Sequence, residues 1–466
     1  MTESNVNNDC LIEIGEKEEE TAIAANNVTN HQTWSGNRNE DKVGIASSIR
    51  AKLRSEAQSS ASACIYRIPD PIKRLHEKEF VPSLVSIGPF HHGKKNLQAM
   101  ERVKLGYLNN LLVRLEPETS VEHIVEKVAS MEEYCRSCYE EKLQYSSEEF
   151  VEMMVIDGCF IVEFFRKEEG KLPKDKNDPK DDDDPESMTF VTVLYELLLL
   201  ENQLPWRLVD CLFELTNNQG PRGKKFKSLW ELSCSLFSRW VDKIDPEKKT
   251  SEPRHLLDTV RLVTVEPDDK EIVFPVSESL PSATELVEIG VIFKHRGPDN
   301  TLGINFNDVD GVMEITPITI TPNQSLMRNL IALEECESRG PHKYQITSYC
   351  RVLNDLIKSS KDVEILMNKN IIINFWNLSK EDIASFFSDI CKNSVTTFSC
   401  SRSVSMVSTN VRMYYEHRWL RRWISSIKRE YLYNPSSIWS ISNAVVLVIL
   451  LTAIQTVYSV LSYYKS

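Results

Sequence analysis

FVEMMVIDGCFIVEFFR, residues Phe150–Arg166, is the stretch that decides the fold. Apolar side chains at the helical period fall on nearly every face of this stretch, whereas a surface helix keeps a broad polar face. A capping signature begins at Ser147, so we predict that the helix starts there. Asp157 and Glu163 lie within the apolar run, and a buried carboxylate needs a partner. We therefore predict a central core helix in which Asp157 is bonded to the backbone or to a basic group.

Helical periodicity continues on both sides of this stretch. Between Cys64 and Asn96, however, four prolines exclude regular helix and favour extended geometry. The predicted helices are Asn96–Leu115, Ser120–Leu143, Met188–Leu215 with a break at Pro205, Phe226–Ile244, His255–Val265, a short helix capped by Ser282 that ends near Gly290, and residues 325–337, 344–358, 363–373 and 379–391. This pattern indicates a mainly helical protein.

One region is typical of β structure. Residues 301–321, TLGINFNDVDGVMEITPITIT, alternate apolar and polar side chains around Asp310-Gly311, which is a hairpin signal. No internal repeat and no clear boundary divides residues 48–433. We therefore predict a mainly α fold, in which one large α-rich domain over residues 48–433 carries a small β-hairpin or sheet insertion.

Two acidic segments have the composition of disordered chain. Residues 1–47 are polar and without sustained periodicity, and residues 167–187 form a charged insert. The insert contains Asp181–Asp184, but these aspartates lack the alternate spacing and the glycine of a calcium-binding loop. We predict a disordered N-terminal tail and a disordered loop, with no calcium site in the loop.

The C-terminal stretch IWSISNAVVLVILLTAIQTVY, residues Ile438–Tyr458, contains no charged residue and no histidine. Its length matches the ~20 residues that cross a hydrocarbon core as a helix, although a buried core helix is the alternative. We predict a single transmembrane helix within residues 438–461, with the lipid bilayer as its partner. Basic residues dominate between Arg412 and Tyr433. This charge bias predicts a cytosolic domain at the plasma membrane or the endoplasmic reticulum.

Two further features bear on this predicted topology. The basic stretch 414–433 is either a helix on an anionic membrane surface or the last helix of the domain. Sequons begin at Asn27, Asn323 and Asn377, and only sequons on the luminal side of a membrane are glycosylated. The three asparagines are therefore reporters of topology.

Composition excludes several classes of protein. The net charge of −13 at pH 7 argues against general nucleic-acid binding, which needs a basic face. The 11 cysteines are an odd number, and the polar N-terminus does not resemble a signal peptide, so we expect no disulfide framework. Cys135 and Cys138 have the spacing of a metal or redox pair, but no second CxxC or histidine pair completes a zinc site. We interpret them as two small residues on one helix face.

The sequence offers few candidates for chemistry. It contains no glycine-rich phosphate loop, no HExxH and no GxSxG. His91 and His92 are adjacent in a turn, where two side chains do not converge well on one metal ion. His91, Asp157 and Glu201 form a catalytic set only if folding brings them within about 3–4 Å of one another. Otherwise Glu201–Gln203 is a polar break whose side chains cap a helix end.

Several blocks of the chain occur in an order that resembles a known family. The blocks are IYRIP at Ile65–Pro69, PSLVSIGPFHHG at Pro82–Gly93, LQAMERVKLGYL at Leu97–Leu108, FVEMMVIDGCFIVEFFR at Phe150–Arg166, LLLLENQLPW at Leu197–Trp206, LPSATELVEIGVIF, SLMRNLIALEEC, ITSYCRVLNDLI and QTVYSVLSYY at Gln455–Tyr464. Over nearly all of residues 48–464 they resemble the plant family called domain of unknown function 247, also grouped as uncharacterised protein family 0481.

The resemblance implies a single-pass membrane protein of plants without established catalytic activity. Some grass members are linked to pollen-side self-incompatibility, and no functional residue can be carried over. We therefore predict a membrane-anchored recognition or signalling adaptor with an unknown protein partner. We expect no enzyme activity, no catalytic, cofactor-binding or metal-binding residues, no cofactor and no small-molecule substrate. The alternatives are an enzyme with a carboxylate/His site and a structural protein that self-associates through its anchor.

Overall fold

The computed structural model describes fifteen stretches of the chain. They are residues 46–50, 62–115, 119–168, 188–217, 227–238, 247, 249, 251–265, 274–275, 279–297, 301–321, 325–337, 344–392, 399–418 and 446–458. Two compact units divide the chain, Met1–Ala57 and Gln58–Ser466. In the first unit the structure describes residues 46–50, which are helical. Every feature below belongs to the second unit.

The second unit is built mainly from α-helices. They are α1 Asp70–Lys73, α2 Gln98–Arg114, α3 Val121–Ala129, α4 Glu132–Ser137, α5 Ser147–Glu168, α6 Met188–Glu196, α7 Trp206–Leu215, α8 Leu229–Phe237, α9 Leu256–Thr264, α10 Ala283–Glu288, α11 Ser325–Cys336, α12 Gln345–Leu356, α13 Ser360–Met367, α14 Lys380–Ile390 and α15 Arg402–His417. Short 3-10 helices occupy Glu77–Glu79 and Lys95–Leu97. The prediction of a mainly helical protein is confirmed.

Short strands form three small sheets in the described chain. The strands are β1 Phe274–Pro275, β2 Ile292–His295, β3 Ile304–Asn307, β4 Val312–Ile315, β5 Ile318–Thr319, β6 Ile372–Ile373 and β7 Ser399–Cys400. β1 pairs antiparallel with β7, and β5 pairs parallel with β6. In the third sheet β4 is central, antiparallel to β3 and parallel to β2.

The helix α5 lies at the centre of the helical core, as its sequence predicts. It packs against α2, α3, α4, α7 and α8, and most of its side chains are buried. Its capping box lies one residue earlier than predicted. Ser146 Oγ accepts from the Glu149 backbone N–H at 3.1 Å, and Glu149 Oε2 accepts from the Ser146 N–H at 3.0 Å. The two reciprocal bonds satisfy N–H groups that the first turn leaves without helical partners.

The predicted helix Ser120–Leu143 is two helices, α3 and α4. The backbone N–H of Met131 bonds to the carbonyl of Val128, so the end of α3 tightens into a shorter turn. After α4 the carbonyl of Cys138 accepts from the N–H groups of both Cys64 and Ile65, each at 2.9 Å. The chain leaves the helix there because it pairs with the proline-rich extended segment.

The predicted helix Met188–Leu215 ends earlier than Pro205, at the end of α6. The side-chain amides of Asn202 and Gln203 fold back onto carbonyls that the helix end leaves without partners. Asn202 Nδ2 donates to the Glu196 carbonyl at 2.9 Å, and Gln203 Nε2 donates to the Leu197 carbonyl at 2.7 Å. The sequence interpretation of a polar break that caps a helix end therefore describes these two amides.

The predicted hairpin is confirmed by β3 and β4, which are joined through a turn at Asn307–Gly311. Gly311 has a φ of 68°, which glycine adopts at little cost. The prediction that residues 363–373 are helical throughout is wrong. Asn370 has a φ of 53°, which ends the helical path, and the Ile371 carbonyl accepts from the Ile318 N–H in the β5–β6 pairing.

The predicted transmembrane helix is wrong. In the part of the chain that the structure describes, no helix is both long and apolar enough to cross a membrane. Residues 446–458 are helical and fall short of the ~20 residues that a hydrocarbon core requires. Residues 438–445 and 459–461 of the predicted segment lie outside the described residues. The same is true of the basic stretch after residue 418, the acidic tail before residue 46 and the loop 169–187.

Candidate functional site

Residues 82–93 form an irregular segment whose backbone N–H groups donate hydrogen bonds to side chains that are distant in sequence. We call Asp157, Glu196 and Asn202 the polar clamp, because each of them binds backbone groups of this segment. Glu196, at the end of α6, makes the largest share of the contacts. Its carboxylate accepts from the N–H of Ser83 at 2.7 Å, of Leu84 at 3.0 Å and of Val85 at 2.7 Å, and from Ser83 Oγ at 2.7 Å. Three consecutive N–H groups therefore converge on one buried carboxylate.

Asn202 continues the polar clamp along the segment. Its Oδ1 accepts from the Ile87 N–H at 2.7 Å, and its Nδ2 donates to the Val85 carbonyl at 3.1 Å. Gln203 does not touch the segment with its side chain; its Oε1 accepts from the Leu257 N–H at 3.1 Å, at the start of α9. The turn that contains Asn202 and Gln203 therefore caps α6 and also connects it to residues 85–87 and to the start of α9.

Asp157, from the centre of α5, binds both kinds of partner that the sequence predicts for it. Its Oδ2 accepts from the Gly88 N–H at 2.8 Å and its Oδ1 from Lys104 Nζ at 2.6 Å. Burial alone would lower the pKa of Lys104, but Asp157 and Glu101 outweigh that effect and hold it above its usual value. Burial raises the pKa of Asp157, against Lys104 and the Gly88 N–H, which lower it. The short contact between the two groups and the raised pKa of Lys104 favour the charged form of the pair. At Gly88 a Cβ atom would meet the Gln203 carbonyl oxygen at 2.7 Å, so a side chain does not fit.

His91 and Glu201 meet in the structure, and a cluster of cations surrounds them. His91 Nε2 lies 3.2 Å from Glu201 Oε2, although the angle does not make a hydrogen bond. Glu201 is fixed by the Ile68 N–H at 3.0 Å and by Lys73 Nζ at 2.7 Å. Burial alone would raise the pKa of Glu201, but His91, Lys73 and the Ile68 N–H together lower it to about 2. Glu201 is therefore ionised.

The catalytic set His91, Asp157 and Glu201 comes together only in part. Asp157 binds Gly88 and Lys104, whereas Glu201 binds His91 and Lys73. A cleft that is lined by residues including Ile72, His76, Phe80 and Arg328 contains none of the three. Sequence reasoning missed the lysines of this region. The sequence contains one indication of this contact, because Gly93 allows a tight turn that can bring Lys94 back towards His91.

Metal binding finds no support in the described chain. His92 is exposed and contacts the Tyr145 ring edge-on, whereas its neighbour His91 is buried. Among the described residues no group of three His, Cys, Asp or Glu side chains could hold a metal ion. Cys64, Cys135 and Cys138 are free thiols, and a hydrogen bond from Cys64 lowers the pKa of Cys138.

A second feature lies on the surface, between β6 and α14. We call residues 374–378 the aromatic turn, because Phe375 is 76% exposed and Trp376 is 54% exposed. Asn374 closes the turn with two bonds to Leu378. Its Nδ2 donates to the Leu378 carbonyl at 2.9 Å, and its Oδ1 accepts from the Leu378 N–H at 3.0 Å. The turn therefore presents two large apolar rings to solvent on a closed backbone loop.

Comparison with known proteins relates the chain to a plant family. The family DUF247, described as plant protein of unknown function, matches residues 65–450. The chain belongs to this family. The match includes the polar clamp, the His91–Glu201 contact and the aromatic turn, so these features lie within the family domain.

Two Arabidopsis thaliana proteins are similar to the chain over most of its length. A UPF0481 protein is 26% identical over 440 residues, which cover 88% of this chain and 88% of the relative. A putative UPF0481 protein is 22% identical over 512 residues, which cover 88% of this chain and 93% of the relative. No solved structure matches the chain. The resemblance that the sequence blocks indicate is confirmed, and the family assignment carries no activity with it.

Proposed function

We propose that this DUF247 protein is a protein-interaction module, a recognition or signalling adaptor, whose partner binds the aromatic turn. The observation that carries the proposal is the exposure of Phe375 and Trp376 side by side. Exposed tryptophan is costly in water and is enriched at the centres of protein interfaces, where it supplies much of the binding energy. A partner that covers both rings removes this cost.

The geometry of the turn also favours binding. Asn374 holds both ends of the loop, and Asn377 has a φ of 52°, a conformation that asparagine tolerates better than most residues. A loop that is already ordered loses little conformational entropy when a partner binds. The turn thus resembles a pre-organised contact site more than a flexible connection.

Charge indicates the chemistry of the partner. The chain has a net charge of −13, and the first turn of α14 places Glu381 and Asp382 a few residues beyond Trp376. Arginine and lysine side chains stack on indole rings and pair with carboxylates. We therefore propose a partner protein with an exposed basic segment, whose cations contact Trp376 and these carboxylates.

The test is site-specific photocrosslinking of the full chain in plant cells. A benzophenone side chain replaces Phe375 in one variant and Lys369, an exposed control residue, in a second. A protein that is crosslinked from position 375 and not from position 369 is then purified, and its affinity is measured for the unmodified chain and for Trp376→Ser. We expect the substitution to weaken binding at least about tenfold, and added salt to weaken it further.

Two results would contradict the proposal. The first is equal crosslinking from positions 375 and 369, which would mean that the turn is not a preferred contact. The second is an affinity that Trp376→Ser leaves unchanged. Trp376→Phe is the matched variant, because it keeps an aromatic ring and should retain most of the affinity.

The same turn provides a test of the predicted cytosolic location. Asn377 begins a sequon and is exposed, whereas Asn27 and Asn323 lie outside the described residues. If the domain is cytosolic, Asn377 carries no glycan, and the chain made in plant cells shows no change in mobility after glycosidase treatment. A glycosidase-sensitive chain whose shift disappears in Asn377→Gln would place this surface in the secretory pathway and exclude a cytosolic partner.

A further inference from the structure

Lys94 forms an unusual contact with the buried histidine of the candidate site. Its Nζ lies 2.7 Å from His91 Nδ1, while His91 itself is only 1% exposed. Gly93, with a φ of 78°, turns the chain so that Lys94 comes back over His91. Lys94 and Lys95 are both exposed, and space around the Gly93 backbone is open. A solvent-accessible amine is thus hydrogen-bonded to a base that solvent does not reach.

A third group, Glu201, lies beside the histidine. Burial is the main cause that lowers the pKa of His91, so the imidazole is neutral and accepts from Lys94 at Nδ1. Its Nε2 then carries the proton and faces Glu201, which is itself fixed by Ile68 and Lys73. A nucleophile in hydrogen-bond reach of a base, with a carboxylate beside the base, resembles the arrangement that activates side-chain nucleophiles in enzymes, although here the His91–Glu201 contact of 3.2 Å is not a hydrogen bond.

The surroundings of Lys94 favour its neutral, nucleophilic form. Partial desolvation beside His91, and then the positive charges of Lys73 and Arg67, lower the pKa of Lys94, although the Glu201 carboxylate acts in the opposite direction. The side chains of Arg67 and Lys73 remain partly exposed, at 38% and 21%. Lys73 pairs with Glu201, and Arg67 pairs with both Glu201 and Glu141, so these carboxylates neutralise part of the positive charge. Together with the exposed Lys95, which is adjacent to Lys94 in sequence, the cations still outnumber the two carboxylates, and this favours a negatively charged molecule at the Lys94 amine.

We propose that Lys94 is a nucleophilic lysine that accepts acyl groups from anionic acyl donors, with His91 as the proton acceptor and Glu201 as the carboxylate that stabilises the protonated histidine. The Lys94 nitrogen attacks the carbonyl carbon of the donor, and a C–N bond forms. The amine proton passes to His91 Nδ1, and the Glu201 carboxylate stabilises the imidazolium. The bond from the carbonyl carbon to the leaving group then breaks, the proton goes to the leaving group, and an amide on Lys94 remains.

The test uses acetyl phosphate, an anionic acyl donor, on the full chain at mildly alkaline pH. Acetylation of each lysine is followed over time by peptide mass spectrometry. Lys95 is the control, because it is exposed and adjacent in sequence. We expect Lys94 to be acetylated at least about tenfold faster than Lys95 in the folded chain, since general-base assistance commonly supplies 10² or more. In concentrated urea the two rates should become equal.

Two further measurements separate activation from mere accessibility. The rate at Lys94 should reach half of its maximum at a lower pH than the rate at Lys95, and this comparison needs no variant. In the His91→Gln variant, acetylation of Lys94 should slow to the rate of Lys95, and circular dichroism should confirm that the variant is folded. Glu201→Gln should slow Lys94 by a smaller factor, because the imidazole remains but its protonated form loses a stabilising charge.

Three results would overturn the proposal. Equal acetylation of Lys94 and Lys95 in the folded chain excludes an activated amine. A preference for Lys94 that persists in urea assigns the effect to local sequence. A folded His91→Gln variant with unchanged Lys94 acetylation removes the proposed base. If the His91→Gln variant does not fold, the proposal is tested on the unmodified chain, by the comparison of Lys94 with Lys95 in urea and across the pH range.

Discussion

The segment 82–93 and the hairpin of β3 and β4 are both held in non-helical conformations, but by different kinds of partner. In the segment, N–H groups donate to the side chains of the polar clamp, which come from the distant helix α5 and the end of α6. In the hairpin, N–H groups donate to the backbone of the opposite strand. A backbone partner is present whatever the side chain is, whereas a side-chain partner exists only for particular residues.

This difference shows in which region the stability of the fold depends on particular side chains. A substitution in the hairpin leaves most of its backbone bonds intact. A substitution in the polar clamp leaves buried donors without acceptors, and each such donor costs roughly 1–3 kcal/mol. The two regions should therefore respond very differently to the loss of a single side chain.

The largest effect is expected for Glu196→Ala. The substitution removes the acceptor of three consecutive N–H groups and one hydroxyl. The Val85 N–H is buried, whereas Leu84 is half-buried and Ser83 is exposed, so the cost is largest at Val85. We expect the free energy of unfolding to fall by about 4 kcal/mol, measured by denaturant titration. Glu196→Gln keeps the shape and one good acceptor, so it should cost about half as much. A loss below ~1 kcal/mol for Glu196→Ala would mean that the segment does not depend on the clamp.

Asp157→Ala should have the next largest effect. It leaves the Gly88 N–H without an acceptor and removes one of the two carboxylates that bind Lys104. We expect a loss of about 3 kcal/mol in the free energy of unfolding, since breaking a buried pair strands a charge. Adding Lys104→Met to Asp157→Ala should restore part of the loss. A double variant that is less stable than the single one would contradict the charged pair.

Glu334 is another buried carboxyl that binds backbone N–H groups, and here the free energy of unfolding should depend on pH. Its carboxyl accepts from the Ile346 N–H at 2.9 Å and from the Thr347 N–H at 2.8 Å, at the start of α12. Burial raises the pKa of Glu334 to about 7, against the bonds from Thr347 and Ile346, which lower it. Below the unfolded value of 4.5 the carboxyl is neutral in both states, so it adds no pH dependence there.

Between these two values the unfolded state has lost the proton and the folded state keeps it. Stability therefore falls as the pH rises from 4.5 to about 7 and then levels off. We expect Glu334 to contribute about 3 kcal/mol to this fall. The measurement is the free energy of unfolding at several pH values for the unmodified chain and Glu334→Gln, whose curve should be flatter. Glu152→Gln, on the exposed face of α5, is the control and should leave the slope unchanged.

Asn307→Ala should have the smallest effect. Its Oδ1 accepts from the N–H groups of Val309 and Asp310 in an exposed turn, where water can replace it. The strand pairing of β3 and β4 does not involve this side chain. We expect a loss of at most about 1 kcal/mol by the same denaturant titration. A larger loss than that of Glu196→Ala would reverse the comparison between the two regions.

The elements that sequence reasoning located well are those that local patterns specify. The apolar faces of Phe150–Arg166 place α5 at the centre of the core, and Ser282 caps α10, whose end lies near Gly290. The alternation around Asp310-Gly311 gives the hairpin its turn. In each case the residues that decide the structure are neighbours in sequence.

Other elements were placed wrongly or depend on distant partners. Sequence reasoning put the break at Pro205, whereas α6 already ends at Glu196, because the amides of Asn202 and Gln203 turn back onto carbonyls six residues earlier. The strand β6 exists because β5, more than fifty residues earlier, pairs with it. For the candidate site, the residue types His91 and Glu201 were named correctly, but their contact depends on the fold. The contact between Lys94 and His91 likewise depends on the turn at Gly93.

The long separation between Glu196 and Ser83, 113 positions along the chain, also sets an order of events during protein synthesis. Ser83 leaves the ribosome well before Glu196 has been added, since chains are made from the N-terminus. Until α6 exists, the N–H groups of residues 83–85 must be hydrated or bound by another protein. A nascent chain that stops before residue 196 therefore displays this segment, and its first third reaches the native conformation only after the middle of the chain has been translated.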